Sequence, residues 1–130
     1  MDYRELGALG EKLACEYLVK KGFKILGRNY RITFGEIDII AKKKFKLFSK
    51  NSKIIHFVEV KTIIAQSGFH PEDKVDFKKQ KKLRQLSEIW LKNNGYKQNQ
   101  PCQIDVVGVT ISNDSKEPKI DYFENVVSGV

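Results

Sequence analysis

The chain has 130 residues, long enough for one domain with a real core and short for two. Its 41% hydrophobic content argues against disorder, and no apolar run approaches the roughly 20 residues of a membrane span. A formal net charge of +8 favours contact with polyanions, meaning nucleic acid or an anionic membrane surface, although a merely lysine-rich soluble surface has the same composition.

The first 22 residues read as an amphipathic helix, with Leu6, Leu9, Leu13 and Tyr17 on one face and Gly22 as its stop. Cys15 lies in this helix and Cys102 far beyond it. With no zinc-type cluster and no signal peptide, both are expected to be reduced thiols in a cytoplasmic protein without a membrane partner. Three strand candidates follow: FKILGRNYR, GEIDIIAKK and SKIIHFVEVKT. A basic loop, KFKLFSKNSK, joins the last two as a hairpin. QSGFHPED reads as a loop, and a second helix spans about residues 74–94, capped by Asp73 or Asp76. Its apolar stripe is Leu83, Leu86, Ile89 and Trp90. CQIDVVGVTI and KIDYFENVV complete the chain as strands, separated by the turn SNDSKEP. The order α-β-β-β-α-β-β implies one α/β domain over residues 1–130, with helices packed on a mixed sheet.

The second and third strands carry charges where packing calls for Val or Leu. Strict alternation places Glu36 and Asp38 on one face, with Ile37 and Ile39 opposite. Glu59 and Lys61 likewise share a face, opposite Val58 and Val60. If these strands pair, Asp38 and Glu59 approach each other. Two such carboxylates repel unless a cation sits between them, and Mg²⁺ or Mn²⁺ suits that role. Lys61 can reach the same space to orient a water or stabilise a phosphate. The bland alternative is a solvated sheet face of Glu–Lys pairs, which are worth little. Glu11 falls beside the first helix's apolar stripe, near Gly7, Gly10 and Ala14. These small residues would let the helix approach the sheet closely and bring Glu11 to the acids.

Lys79 projects into the second helix's apolar stripe, where it must snorkel or meet an acid or a phosphate. Its neighbours Lys78 and Lys82, and the cluster Lys42, Lys43 and Lys44 extended by Lys46, Lys50 and Lys53, offer basic surface for phosphates, or else a solvated charged face. His56 and His70 are too sparse for a histidine metal site. His56 faces away from Glu59 and reads as structural.

Gly35-Glu36-Ile37-Asp38 followed by Phe57-Val58-Glu59-Val60-Lys61 resembles the signature of the PD-(D/E)xK nuclease superfamily. More closely, it is similar to the small YraN-like proteins, a family related to Holliday-junction resolvases. Gly10-Glu11, residues 75–83 with Lys79, and Asp105-Val106-Val107 fit the same pattern, so the resemblance covers nearly the whole chain. It implies a restriction-endonuclease-like fold. It further implies that Asp38, Glu59 and the Val60 carbonyl bind the metal, that Lys61 serves the attacking water, and that Glu11 supports the site. Glu36 would stand behind the ligands. Two departures, Ile63 and Gln103, replace arginines that the family pattern carries, and are expected to remove cations near the cleft.

Together these readings describe a metal-dependent endonuclease at the sheet's edge, acting on branched or structured DNA in preference to RNA. The alternatives are a nucleic-acid-binding module of the same fold with weak or lost cleavage, and a scaffold for a protein partner. Junction resolvases act as two-fold dimers, so a homodimer is compatible with the reading, although composition marks no surface for one.

Overall fold

A computed structural model describes residues 2–44, 53–64, 77–112 and 117–126. The proposed caps Asp73 and Asp76, the loop with His70, and most of the basic hairpin loop lie outside the described residues. The elements are α1 (Tyr3–Lys20), β1 (Phe23–Ile32), β2 (Gly35–Lys43), β3 (Ile55–Ile64), α2 (Phe77–Asn93), β4 (Cys102–Ile111) and β5 (Lys119–Phe123). This is the order expected from the sequence. The strands form one sheet in the order β1-β2-β3-β4-β5. Neighbours are antiparallel except β3 and β4, which run parallel because α2 returns the chain between them.

Each face of the sheet carries one helix. On one side α1 packs Ala14, Cys15 and Leu18 on Phe23, Ile39, Ala41, Val58, Val107 and Val109. On the other, α2 sets Leu83, Leu86 and Trp90 against Ile37, Ile40, Phe57, Ile104 and Val106. The α2 stripe matches expectation, with Ile89 at its margin. The α1 face is rotated from the expected one. Leu6, Gly10, Ala14, Cys15 and Leu18 are buried, while Leu9, Leu13 and Tyr17 sit on the flank. Hydrophobicity marked the larger residues, but close approach to the sheet selects the smaller ones. Gly10 packs on Thr62 so tightly that a Cβ there would overlap the Thr62 side chain. Asp2 caps α1 by accepting from the Glu5 N–H at 2.8 Å, and Gly22, at φ 96°, ends it.

His56 faces the α1 side, edge-on to Phe23 at 4.9 Å. Its structural role is fastening: Nδ1 lies 2.6 Å from Asp105 Oδ2, fully inside the fold. Asp105 also accepts from the Tyr122 hydroxyl at 2.5 Å, from Gln103 Nε2 at 2.8 Å and from the Asn125 N–H at 2.8 Å. Burial alone would raise its pKa, yet the bonds from His56, Asn125 and Tyr122 hold it below the ordinary carboxylate value. Asp105 is therefore ionised, and the imidazole Nδ1 carries the proton between them.

Gly10→Ala should loosen α1 from the sheet and destabilise the protein by about 1–3 kcal/mol, the usual range for overpacking. Urea melts measure this, and Thr62→Ala in the same chain should recover part of the loss. An unchanged midpoint would mean that the approach of α1 is not limited by Thr62.

Candidate metal and phosphate site

The acids meet where β2 and β3 part. Their ladder runs from Lys42↔Ile55 to Ile39↔Val58 and then stops. One residue on, the Val60 N–H donates to Asp38 Oδ2 at 2.8 Å, so a side chain replaces the lost ladder bond. The site is therefore not at the sheet's edge, as the sequence suggested. It opens between two inner strands, because only a split between paired strands gives acids from both a common cleft.

A second irregularity aims Asp38. Ile37 packs on the α2 side and Ile39 on the α1 side, so strict alternation fails at the residue between them. Asn29 stands opposite Asp38, between the pairs Arg28↔Ile39 and Tyr30↔Ile37. Its φ is 53°, a left-handed value that asparagine tolerates better than most residues. Oriented with its amide nitrogen toward Glu11, Asn29 donates to Oε2 at 2.9 Å. One residue thus turns the strand and holds the helical acid.

Glu11, Glu36 and Asp38 each offer a carboxylate oxygen within 4.8 Å of the others. Burial, then Glu59, Glu11 and Glu36, push the Asp38 carboxyl up to about 8, against the lowering effect of the Val60 N–H. Burial and Glu36 also raise Glu11, opposed by Arg28 and Asn29. Glu36 is half-exposed and takes both Nε and Nη2 of Arg31 on one oxygen, at 3.0 and 2.7 Å. Such a donor set, hard carboxylate oxygens with a surplus of negative charge, fits Mg²⁺ or Mn²⁺.

Glu59 is buried and forms an ion pair with Lys79 Nζ. Lys79 thus meets an acid, one of the outcomes expected for a lysine in the apolar stripe. Two cavities share Glu36, Asp38 and Glu59. One, of about 280 Å³ on the α1 side, adds Glu11, Val60, Thr62, Leu6, Gly7 and Tyr3. The other, of about 210 Å³ on the α2 side, adds Lys79, Lys82, Gly35, Leu83 and Leu86. Lys61 lies two residues beyond Glu59 and is half-buried, but it is not among the described residues lining either cavity.

The predicted basic surfaces separate. Lys79 and Lys82 border the cleft, and Lys78 is exposed nearby on α2. Lys42, Lys43 and Lys44 begin four residues from Asp38 along β2, about 13 Å away. Gln103 is not at the cleft either. It pairs with His56, three residues before the Glu59↔Val106 pair or about 10 Å away, and its amide serves Asp105. Ile63 packs against the α2-side core. The expectation that Gln103 faces the cleft is corrected by its register. Sequence reasoning did not reach Asn29, Arg31 or Tyr3. A charged residue in β1 opposite Glu36 was the available clue to Arg31, whereas the conformation of Asn29 leaves no mark in the residue pattern.

Residues 10–109 match the uncharacterised protein family UPF0102. The chain belongs to this family. It is 37% identical to a UPF0102 protein of Caldanaerobacter subterraneus over 84% of this chain and 82% of that one. A UPF0102 protein of Thermodesulfovibrio yellowstonii is 40% identical over 93% and 94%. One from Thermotoga maritima is 37% identical over 99% of each chain. The matched UPF0102 segment holds Glu11, Asn29, Glu36, Asp38, Glu59, Lys61 and Lys79, and leaves out Tyr3 and Gly7. Among solved structures, this UPF0102 chain is similar to Pyrococcus furiosus SfsA in complex with Ca²⁺. That likeness has 18% identity and a TM-score of 0.38, and covers 97% of this chain and 65% of that one, a likeness too loose to bear on the site.

The unfolded Asp38 carboxyl titrates near 3.8 and the folded one near 8, so the folded state binds more protons between these values. Metal-free stability should therefore fall as pH rises from about 4 to about 8. Asp38→Asn keeps an acceptor for the Val60 N–H and sheds the charge. At pH 7.5 with chelator it should gain about 1–2 kcal/mol, or roughly 3–8 °C in Tm, with the gap narrowing toward pH 4.5. A variant less stable than wild type at pH 7.5 would mean that the Asp38 charge is favourably paired in the metal-free fold.

Asn29→Gly should keep the left-handed turn and hold stability to within about 1 kcal/mol. It removes the amide from Glu11, so Mn²⁺ affinity by calorimetry should drop about 10-fold or more. Unchanged Mn²⁺ affinity would show that Glu11 needs no such support.

Proposed function

We propose that this chain is a divalent-metal-dependent endonuclease acting on DNA, branched or otherwise structured. The observation that carries the reading is the convergence of Glu11, Glu36 and Asp38 within 4.8 Å beside Glu59, in a cleft bordered by Lys79 and Lys82. Acids gathered at a folding cost, next to cations that suit phosphate, are what phosphodiester hydrolysis calls for. The net charge of +8 supports a polyanionic partner.

In this reading Asp38, Glu11 and Glu36 hold Mg²⁺ or Mn²⁺, and Glu59 joins them when Lys79 turns from it to a substrate phosphate. Val60 offers its carbonyl as a further oxygen. When bound, the metal supplies Lewis-acid stabilisation of the phosphate and lowers the pKa of water. Lys61, on the Glu59 face of β3, approaches the attacking water and stabilises negative charge as it develops. Lys79 and Lys82 orient the phosphate next to the acids. Lys42, Lys43 and Lys44 track the backbone farther along, without reading sequence.

A second reading, a nucleic-acid-binding module with weak cleavage, draws on the Glu59–Lys79 pair, which occupies an acid that the chemistry needs. A cleavage panel of junction, flap, single-stranded and duplex DNA, plus RNA, with Mg²⁺ or Mn²⁺, separates the two. The nuclease should cut DNA with metal and stop with chelator. Lys61→Ala should then slow cleavage about 100-fold while leaving Mn²⁺ affinity nearly unchanged. Binding without cleavage under every condition would favour the binding module. Loss of Mn²⁺ from Lys61→Ala would overturn the role given to Lys61.

A further inference from the structure

The carboxylate cavity has a wall that holding a metal does not require. Tyr3, Gly7 and Glu11 recur at four-residue spacing on α1, so they form one row leading from the helix start to the acids. All of them line the cavity of about 280 Å³. Tyr3 is 93% exposed, so the fold gains little from its ring. Gly7 is equally unexplained by packing. Gly10 is glycine because Thr62 leaves no room, whereas a Cβ on Gly7 would meet nothing within 4 Å. Glycine inside a helix costs roughly 1 kcal/mol relative to alanine, and here no close approach offsets it. Ring and glycine together make a slot, with an aromatic face at one end and bare helix backbone as its floor. The β1–β2 turn carries Phe34, 43% exposed and two residues before Glu36.

Building on the nuclease reading, we propose that the Tyr3–Gly7 slot receives one unpaired nucleotide of the DNA strand whose phosphate lies at the acids. The substrate is therefore single-stranded where it is cut. The cavity of about 280 Å³ runs from Tyr3 and Gly7 to the acids, so a nucleotide seated at one end has its phosphate at the other. Stacking on an aromatic ring contributes about 1–3 kcal/mol per base and accepts any base, since every base has a π-face. A base inside a duplex already has both faces covered, and reaching Tyr3 would require unstacking it. The bare floor at Gly7 lets the sugar lie against the helix, and the row then delivers the next phosphate toward Glu11 and Asp38. Such a slot selects against continuous duplex without reading sequence. It specifies flaps, gaps or single strands among the structured DNAs that the acids alone leave open.

The test measures binding of a single-stranded oligodeoxynucleotide carrying one 2-aminopurine, and of its duplex, with Ca²⁺ in place of Mg²⁺. Tyr3→Ala and Gly7→Leu should each weaken single-strand binding about tenfold and reduce quenching of the 2-aminopurine, while Tyr3→Phe retains both. Duplex affinity and Mn²⁺ affinity should not move. Equal losses on single strand and duplex, or no loss on either, overturn the slot. Melting curves check Gly7→Leu. If that variant is destabilised, Tyr3→Ala decides alone, since an exposed ring contributes little to folding. A wild type that binds no Mn²⁺ and cuts nothing, yet keeps its Tyr3-dependent preference for single strands, would uphold the slot and overturn the nuclease reading.

Discussion

The hydrogen bond from the Val60 N–H to Asp38 lets an inner pair of strands separate without leaving a buried donor orphaned. An unsatisfied group of that kind costs about 1–3 kcal/mol, enough to close the strands again. With the carboxylate in place, β2 can leave β3 after Ile39↔Val58, and the cleft between them stays open inside the sheet. Everything at the site follows from this. Glu59 stays on a straight strand, Glu36 rides outward with β2, and Glu11 descends from the helix above. The same carboxylate that closes the gap in the ladder is also the most crowded of the acids, so structure and proposed chemistry draw on one side chain.

The scaffold around the cleft divides its work between the two faces. On one side, Gly10 and Ala14 bring α1 down to the sheet, which places Glu11 among the strand acids. On the other, α2 stands far enough off to seat Leu83, Leu86 and Trp90, and its early turns lean lysines over the cleft. Negative charge thus reaches the site from the close helix and positive charge from the other. The Lys79–Glu59 pair is where the two meet. Phosphate and acid are alternative partners for that lysine, and in the proposed chemistry the exchange between them couples substrate arrival to release of Glu59.

Much of the fold was legible because its signals are local. Period-2 runs marked each strand, and 3–4 spacing marked both helices, to within a few residues of the observed ends. The acids were legible as well, since Asp38 and Glu59 contradict the apolar strands that carry them. What escaped was set by backbone geometry. The apolar stripe of α1 was misjudged because the larger residues carry the hydrophobic signal, although the close approach through Gly10 and Ala14 was legible. The alternation at Ile37 and Ile39 was misjudged because it breaks at Asn29, on the neighbouring strand and in a conformation no residue pattern reveals. Gln103 was placed at the cleft because its strand register was unknown. The parallel pairing with His56 sets it instead among the partners of Asp105. That hub was open to the same question asked of Asp38, namely why an acid interrupts an apolar strand.

The Asp105 hub also bears on how the molecule comes apart. β5 is a five-residue edge strand, and short edges usually fray independently of the core. Here Tyr122 within β5 and Asn125 just past it both bind a carboxylate that is wholly buried on β4, while the Val126 N–H bonds back to Ile104 at 2.8 Å. Peeling β5 away would strip an interior anion of two of its donors and leave it to His56 and Gln103. Partial detachment therefore exposes an electrostatic penalty before it gains chain entropy. The edge is held in an all-or-none manner, and its opening is coupled through His56 to β3, the strand that carries Glu59. A peripheral strand is thereby made part of the same cooperative unit as the cleft.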